Sequence, residues 1–117
     1  MNRMDGKICV VTGATQGLGA AIARRLAHAG ARGIAITGRS VARGAALAHT
    51  LTADSGMPTV FIRADLESVE DCRAVIDETH RHFGHVDVLV NAGALTERGT
   101  ILDTDPELFD RIFATNV

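Results

Sequence analysis

Three glycines stand between a strand-like apolar run and a helix-like run, in the segment Thr-Gly-Ala-Thr-Gln-Gly-Leu-Gly at residues 12–19. Backbone amides at the start of a helix attract negative charge, and phosphates bind there when no side chain blocks their approach. We therefore predict that Gly13 and Gly17 are the positions of closest contact with a nucleotide's phosphates. Gly19 is expected to let the helix pack tightly on the preceding strand. The strand before the glycines and the helix after them make the prediction specific.

The rest of the chain repeats this alternation of strand and helix. Strand-like runs lie at residues 7–12, 33–37, 59–63 and 86–90, and helical periodicity lies at 18–29, 45–51, 69–83 and 104–113. Such alternation predicts an α/β fold with a doubly wound parallel sheet of about four strands in the order 3-2-1-4. Ligands of these sheets bind beyond the carboxyl ends of the strands, at the point where the strand order reverses. Gly13 and Asn91 are both expected there.

Apolar residues at helical spacing predict which helix faces are buried. The predicted stripes are Leu18, Ile22, Leu26 and Ala29 in the first helix, Val69, Cys72, Ile76, Thr79 and Phe83 in the third, and Leu108, Phe109, Ile112 and Phe113 in the last. Ser68 is predicted to cap the third helix, with Asp71 in the position that completes a capping box. Thr104, followed by Pro106, is predicted to begin the last helix.

Composition excludes several classes of partner. The 117 residues are 46% apolar with a formal charge of −2, which argues against nucleic acid and anionic membranes as partners. No run approaches the roughly 18 apolar residues that a membrane span needs. Cys9 and Cys72 lack the spacing of a metal site or a disulfide framework, which predicts reduced thiols in a cytoplasmic protein. The histidines at positions 80, 82 and 85 do not share a helix face, so no metal site is expected.

The glycine spacing resembles the short-chain dehydrogenase/reductase family, whose cofactor turn reads Thr-Gly-x-x-x-Gly-x-Gly. Three further segments agree in order: Asp65-Leu66 after the third strand, Asp-Val-Leu-Val-Asn at 87–91, and Asn116 with Val117. The resemblance covers residues 7–117, the first half of a typical member. It implies a Rossmann-like half-domain over residues 1–117 that binds a nicotinamide dinucleotide, without the C-terminal catalytic half. The implied cofactor-binding residues are Gly13, Thr15, Gln16, Gly17, Leu18, Gly19, Arg39, Ser40, Asp65, Leu66, Asn91, Ala92 and Gly93.

The segment after the fourth strand departs from the family. Members usually read Asn-Asn-Ala-Gly, whereas this chain reads Asn-Ala-Gly-Ala at residues 91–94. Aligned without a gap, Ala94 replaces a glycine and would strain or crowd the nicotinamide ribose site if that glycine needs a positive φ. A one-residue deletion would instead keep residues 91–93 intact. The sequence leaves both alternatives open.

The end of the second strand indicates which dinucleotide is preferred. An NAD site usually places a carboxylate there to bind the ribose 2′-hydroxyl, but residues 37–40 read Thr-Gly-Arg-Ser. An arginine pairs with a 2′-phosphate, and such charge-assisted bonds contribute about 1.5–3 kcal/mol. We expect NADP(H) to bind at least about tenfold more tightly than NAD(H), which remains the alternative cofactor. Arg39 is the expected main cause, with Ser40 helping and Thr15 within reach.

The catalytic set that the resemblance implies is incomplete. Members use a tyrosine as general acid/base, a lysine that lowers its pKa, a serine that holds the substrate oxygen, and a helix-borne asparagine. This chain has no tyrosine, its single lysine is Lys7, and no serine follows Ser68, which leaves Asn116. We expect the chain alone to be inactive. The alternatives are a non-catalytic module that binds a nucleotide or a partner, and a truncated product without function.

The fourth strand is expected at the edge of the sheet. Such an open apolar edge favours association. We therefore expect the polypeptide to be marginally stable, oligomeric, or part of something longer, and the full-length protein to be a homo-oligomer. The loop at Thr96-Glu97-Arg98 is expected to be either a border of the substrate pocket or a plain surface loop.

Overall fold

Four strands alternate with four helices in the computed structural model, which describes residues 3–95 and 99–117. The elements are β1 (Ile8–Thr12), α1 (Gly17–His28), β2 (Gly33–Gly38), α2 (Val41–Ser55), β3 (Thr59–Arg63), α3 (Val69–Phe83), β4 (Val88–Asn91) and α4 (Pro106–Asn116). The strands form one parallel sheet in the order β3-β2-β1-β4. The predicted fold class and strand order are confirmed. Over the described residues, the helices are too short or too polar to cross a bilayer.

The two inner strands, β1 and β2, are buried on both faces, and their successive side chains point to opposite sides of the sheet. Cys9 and Val11 of β1 join a core with residues of α1 and α2, whereas Val10 joins a second core with Val75 of α3. The central strand is therefore fully covered. The β1–β4 register pairs Thr12 with Asn91, so both strands end at one edge of the sheet.

The buried face of α1 differs from the predicted stripe. Leu18 is 72% exposed, and Ile22 and Leu26 are only partly buried. The residues that face the sheet are small ones, Ala20, Ala23 and Ala27. Alanines allow the helix axis to approach the strands closely, so the longer side chains lie at the flanks. The prediction that Leu18 is buried was wrong.

The predicted faces of the last two helices were also partly wrong. In α3 the buried residues are Val75 and Thr79, while Val69 is 66% and Ile76 is 41% exposed. None of the residues of α4 is buried, and Phe109 and Phe113 are each about half exposed. Among the described residues, both helices thus leave apolar side chains exposed rather than packed on the sheet.

Two helix starts are set by side chains, one as predicted and one not. The Ser68 hydroxyl accepts the Asp71 N–H at 3.1 Å, which confirms the cap of α3. The capping box does not form, because the Asp71 carboxylate accepts the Asp65 N–H at 2.9 Å instead. Helix α4 is capped by Asp105, whose carboxylate accepts the Leu108 N–H at 2.7 Å, rather than by the predicted Thr104.

Strand β4 begins two residues later than predicted because Asp87 has another role. Its carboxylate accepts the Ile8 N–H at 2.8 Å, and its own N–H donates to the Ile8 carbonyl at 2.9 Å. The donated hydrogen bond from Ile8 and the nearby His85 ring hold the pKa of Asp87 below its ordinary value. An ionised Asp87 therefore ties the start of β4 to the start of β1.

Candidate functional site

The glycine turn takes its shape from two residues with left-handed backbone. Gly13 has φ +60° and Gly17 has φ +58°. A Cβ on Gly13 would overlap the Cα of Gly93, whereas a Cβ on Gly17 would meet no atom within 4 Å. Gly17 is thus the position that leaves open space for a ligand. Gly13 is required by packing between the turn and the segment after β4.

Gly19 lies where the start of α1 meets the turn. A Cβ at this position would overlap the carbonyl oxygen of Gly13, inside the turn itself. The absent side chain therefore lets α1 start directly against the turn. Gly13 and Ala14 directly follow β1, so the close packing predicted at Gly19 occurs at the carboxyl end of that strand.

The turn is joined to the end of β4 by one hydroxyl group. Thr12 Oγ1 accepts the N–H groups of Ala92 and Gly93, each at 3.2 Å, and donates to the Val90 carbonyl at 3.4 Å. Thr12 is only 6% exposed, so these bonds are largely shielded from water. The motif showed that a threonine precedes the glycines, but its hydrogen-bond partners lie about 80 residues away and were not foreseen.

An open trough of about 320 Å³ lies along the carboxyl ends of the strands. Its lining contains most of the predicted cofactor-binding residues: Gly13, Thr15, Gln16, Gly17, Leu18, Gly19, Arg39, Asp65, Leu66, Ala92 and Gly93. Six further residues, which were not predicted to bind the cofactor, also line the trough: Thr37, Gly38, Ala64, Ala94, Leu95 and Thr115. Gly38 and Ala64 could have been found, because each stands at or just beyond the carboxyl end of a predicted strand.

The N-terminus of α1 opens into this trough without a side-chain cap. Its N-cap residue, Gln16, makes no capping hydrogen bond, and no acidic residue occupies the first turn. The other three helices are capped by Ser40, Ser68 and Asp105. The first N–H groups of a helix have no partner within the helix. Those of α1 are therefore available to a ligand, and the helix dipole favours an anion.

Charged groups of opposite sign lie in the trough lining. Arg39 lines the trough and is exposed just after β2. Arg43 of α2 lies outside the lining and donates to the side chain of Gln16 at 2.8 Å. Asp65 supplies the one carboxylate among the described lining residues, and its oxygen accepts the Glu67 N–H at 3.0 Å. The end of the trough beside β2 is therefore cationic.

Two predicted cofactor-binding residues lie beside the trough rather than in its lining. The hydroxyl of Ser40 caps α2 by accepting the Arg43 N–H at 3.3 Å. The hydroxyl that was expected to help Arg39 bind the 2′-phosphate is therefore already hydrogen-bonded. Asn91 ends β4 opposite Thr12, and its side chain is exposed. Direct contact of either residue with a ligand remains a prediction.

Asn116 pairs with the backbone of the segment that follows β4. Its amide nitrogen donates to the Leu95 carbonyl at 2.7 Å, and its amide oxygen accepts the Leu95 N–H at 2.8 Å. The only implied catalytic residue therefore fixes one wall of the trough. Its participation in a reaction remains a prediction.

The unusual order of Gly93 and Ala94 creates no backbone strain. Over the described residues, positive φ values occur only at glycines, and neither Gly93 nor Ala94 has one. Gly93 packs against Gly13, and a Cβ on Gly93 would overlap the Leu66 side chain. Ala94 lies in the trough lining. The backbone strain expected if Ala94 replaced a glycine of positive φ is therefore absent.

Other sequence features add no further site. Within residues 3–95 and 99–117, no three His, Cys, Asp or Glu side chains are placed to hold a metal ion. Cys9 and Cys72 are free thiols, and burial, with a smaller effect of Asp87, raises the pKa of Cys9. The loop at 96–98 lies outside the described residues.

A doubly wound sheet with a glycine turn and an uncapped helix defines a Rossmann-like α/β protein. A family model described as short chain dehydrogenase matches residues 7–117, and the chain belongs to this family. It is 36% identical, over its whole length, to an uncharacterized oxidoreductase of Methylorubrum extorquens, of which it covers 47%.

Solved structures agree with the family assignment. L-Sorbose reductase from Gluconobacter frateurii, complexed with NADPH and L-sorbose, superposes on the whole chain with a TM-score of 0.95 and 30% identity, over 44% of its own length. A short chain dehydrogenase from Burkholderia cenocepacia in complex with NADP superposes on 99% of the chain with a TM-score of 0.93 and 36% identity, over 47% of its length. The chain thus spans less than half the length of these relatives.

Proposed function

We propose that this chain is the cofactor-binding part of an NADP(H)-dependent short-chain dehydrogenase/reductase. The complete protein would transfer a hydride between the nicotinamide and a carbonyl or alcohol carbon. The observation that carries the proposal is the N-terminus of α1, which lacks a side-chain cap and opens into the trough beside Gly17. Free N–H groups, a helix dipole and space for close approach suit a diphosphate.

The preference for NADP(H) rests on the charge at the end of β2. Arg39 lines the trough there and is exposed, so its guanidinium can pair with a 2′-phosphate. The Gly38-Arg39-Ser40 segment has no carboxylate to bind a free 2′-hydroxyl. Two structural relatives have NADPH or NADP bound. NAD(H) lacks the phosphate and is expected to bind at least about tenfold more weakly.

Calorimetric titration with NADPH and NADH tests this proposal. We expect Arg39→Ala to weaken NADPH binding by about tenfold or more and to leave NADH binding nearly unchanged. Arg25→Ala is the matched control, because it removes the same charge from an exposed position in the last turn of α1. Equal affinities of the unaltered chain for the two nucleotides would contradict the NADP(H) preference.

The chemistry of the complete protein needs groups that this chain lacks. Tyrosine is absent from the sequence, and Lys7 precedes β1, whereas the trough lies beyond the other end of that strand. We therefore expect the chain to bind NADPH and not to oxidise it in the presence of carbonyl compounds. Turnover by the chain alone would contradict this expectation. Binding without turnover is equally the behaviour of the alternative, a non-catalytic nucleotide-binding module.

We also infer that the full-length protein is a homo-oligomer in the cytoplasm. Leu89 on the edge strand β4 is 51% exposed, and Phe109 and Phe113 of α4 stack with their ring centroids 4.6 Å apart while half exposed. Apolar surface of this kind favours association. The two free cysteines suit a reducing compartment. Size-exclusion chromatography would contradict the oligomer if the protein eluted as a monomer at all concentrations.

A further inference from the structure

Helix α4 is held to the fold by polar contacts rather than by a buried face. None of its residues is buried, although apolar burial is what usually fixes a helix on a sheet. Its side-chain hydrogen bonds to the rest of the described chain come from two loops that border the trough. One loop joins β3 to α3, and the other follows β4.

Glu67 makes the contacts from the first loop. One carboxylate oxygen accepts Arg111 Nε at 3.3 Å and Thr115 Oγ1 at 3.2 Å. The Glu67 side chain is 28% exposed, so water screens these bonds only in part. Its backbone N–H donates to Asp65, which lines the trough. Glu67 therefore connects the loop of Asp65 and Leu66 to the last turns of α4.

The same helix end fixes the second loop. Asn116, next to Thr115, pairs with both backbone groups of Leu95. Thr115 and Leu95 both line the trough, on the wall formed by the segment after β4. A chain of hydrogen bonds thus runs from Asp65 through Glu67 and α4 to Leu95. The two sides of the trough are coupled through a helix that has little else to hold it.

We propose that Glu67 is a positioning residue that sets the wall of the trough at Leu95 by fixing the end of α4. The inference rests on the proposed function, in which the adenosine half of the dinucleotide lies near Arg39 and Asp65 and the nicotinamide half near Ala94 and Leu95. Loss of the Glu67 carboxylate should weaken contacts with the nicotinamide half. It should leave the site of the adenosine half in place.

Titration with NADPH and with 2′,5′-ADP, which lacks the nicotinamide half, tests the proposal. We expect Glu67→Ala to weaken NADPH binding about fivefold and to change 2′,5′-ADP binding less than about twofold, as loss of two partly exposed hydrogen bonds would predict. Glu67→Gln keeps an acceptor for Thr115 and should restore most of the NADPH affinity. Glu70→Ala is the matched control, an exposed glutamate in the first turn of α3.

Each outcome separates the inference from the proposed function. No binding of NADPH to the unaltered chain would refute the proposed function. Binding by the unaltered chain, with Glu67→Ala equal to Glu70→Ala or with equal losses for both ligands, would refute the role of Glu67 alone. If Glu67→Ala does not fold, Arg111→Met decides, because it removes one donor to Glu67 from an exposed position outside the trough lining. It should weaken NADPH binding about twofold and spare 2′,5′-ADP.

Discussion

Replacement of Thr12 by valine removes one hydroxyl and keeps the shape of the side chain. That hydroxyl is the acceptor for two backbone N–H groups, those of Ala92 and Gly93, each at 3.2 Å. Valine offers no acceptor, and Thr12 is only 6% exposed, so water can replace the lost bonds only after the turn and β4 separate. The change therefore tests whether this contact holds the two sides of the trough together.

The expected cost follows from the number of bonds lost. A hydrogen bond within a protein contributes about 0.5–1.5 kcal/mol, so the two that Thr12 Oγ1 accepts contribute about 1–3 kcal/mol. The third, which it donates to the Val90 carbonyl, is the longest at 3.4 Å and adds less. The more apolar side chain at position 12 recovers little of this free energy, because the two N–H groups remain without an acceptor. We expect Thr12→Val to lower the free energy of unfolding by about 1–3 kcal/mol, measured by urea denaturation with the slope unchanged.

Thr37 provides a matched control one strand away. It is 1% exposed, and its hydroxyl has no hydrogen-bond partner among the residues that the structure describes. Thr37→Val makes the same chemical change at a buried strand position without breaking such a bond. It should leave stability unchanged or raise it by up to about 1–3 kcal/mol, since an unsatisfied buried group is removed. Equal effects of the two substitutions would refute the role assigned to Thr12.

Two further predictions concern the turn and the start of β4. Gly13→Ala should lower the free energy of unfolding, measured in urea, by at least about 1 kcal/mol more than Gly17→Ala does. Both glycines have positive φ, but only a Cβ on Gly13 would overlap Gly93. Equal losses would contradict this packing. Since the Ile8 N–H lowers the pKa of Asp87, the carboxylate contributes stability above the ordinary aspartate pKa and loses it as pH falls through the lowered value. Asp87→Asn should therefore be less stable than the unaltered chain at about pH 7, and the difference should vanish in acid below the lowered pKa. A difference that persists there would disprove the mechanism.

The strand order and the glycine turn could be predicted because both depend on local patterns. Strands that alternate with helices at this spacing allow few topologies, and the glycines of the turn are adjacent in sequence. The buried faces were harder to predict, because periodicity finds long apolar side chains rather than the residues that face the sheet. In α1 the small Ala23 is buried and Leu18 is exposed at the trough. Close packing of α1 on the sheet leaves room only for the smaller side chain.

The rest of the trough could not be predicted because its walls meet across the sequence. Thr12 bonds to Gly93, and Glu67 bonds to Thr115, over separations of 81 and 48 residues. No periodicity reports such pairs. Only the register of β1 against β4 brings the first pair together, and that register depends on both strands packing in one core.

The atoms that join the turn to the end of β4 also fix the N–H groups at which we propose that a nucleotide binds. The free N–H groups of α1 are local, but the turn that presents them is fixed by Thr12 and Gly13 against Gly93. A nucleotide that binds only when this contact is intact must also stabilise the β1–β4 pair. At a hundred times its Kd, a ligand of the folded chain adds about 2.7 kcal/mol to the free energy of unfolding. That increment is comparable to the contribution expected of the Thr12 hydroxyl. A saturating dinucleotide therefore offsets the stability lost in Thr12→Val only if the turn still forms without the hydroxyl.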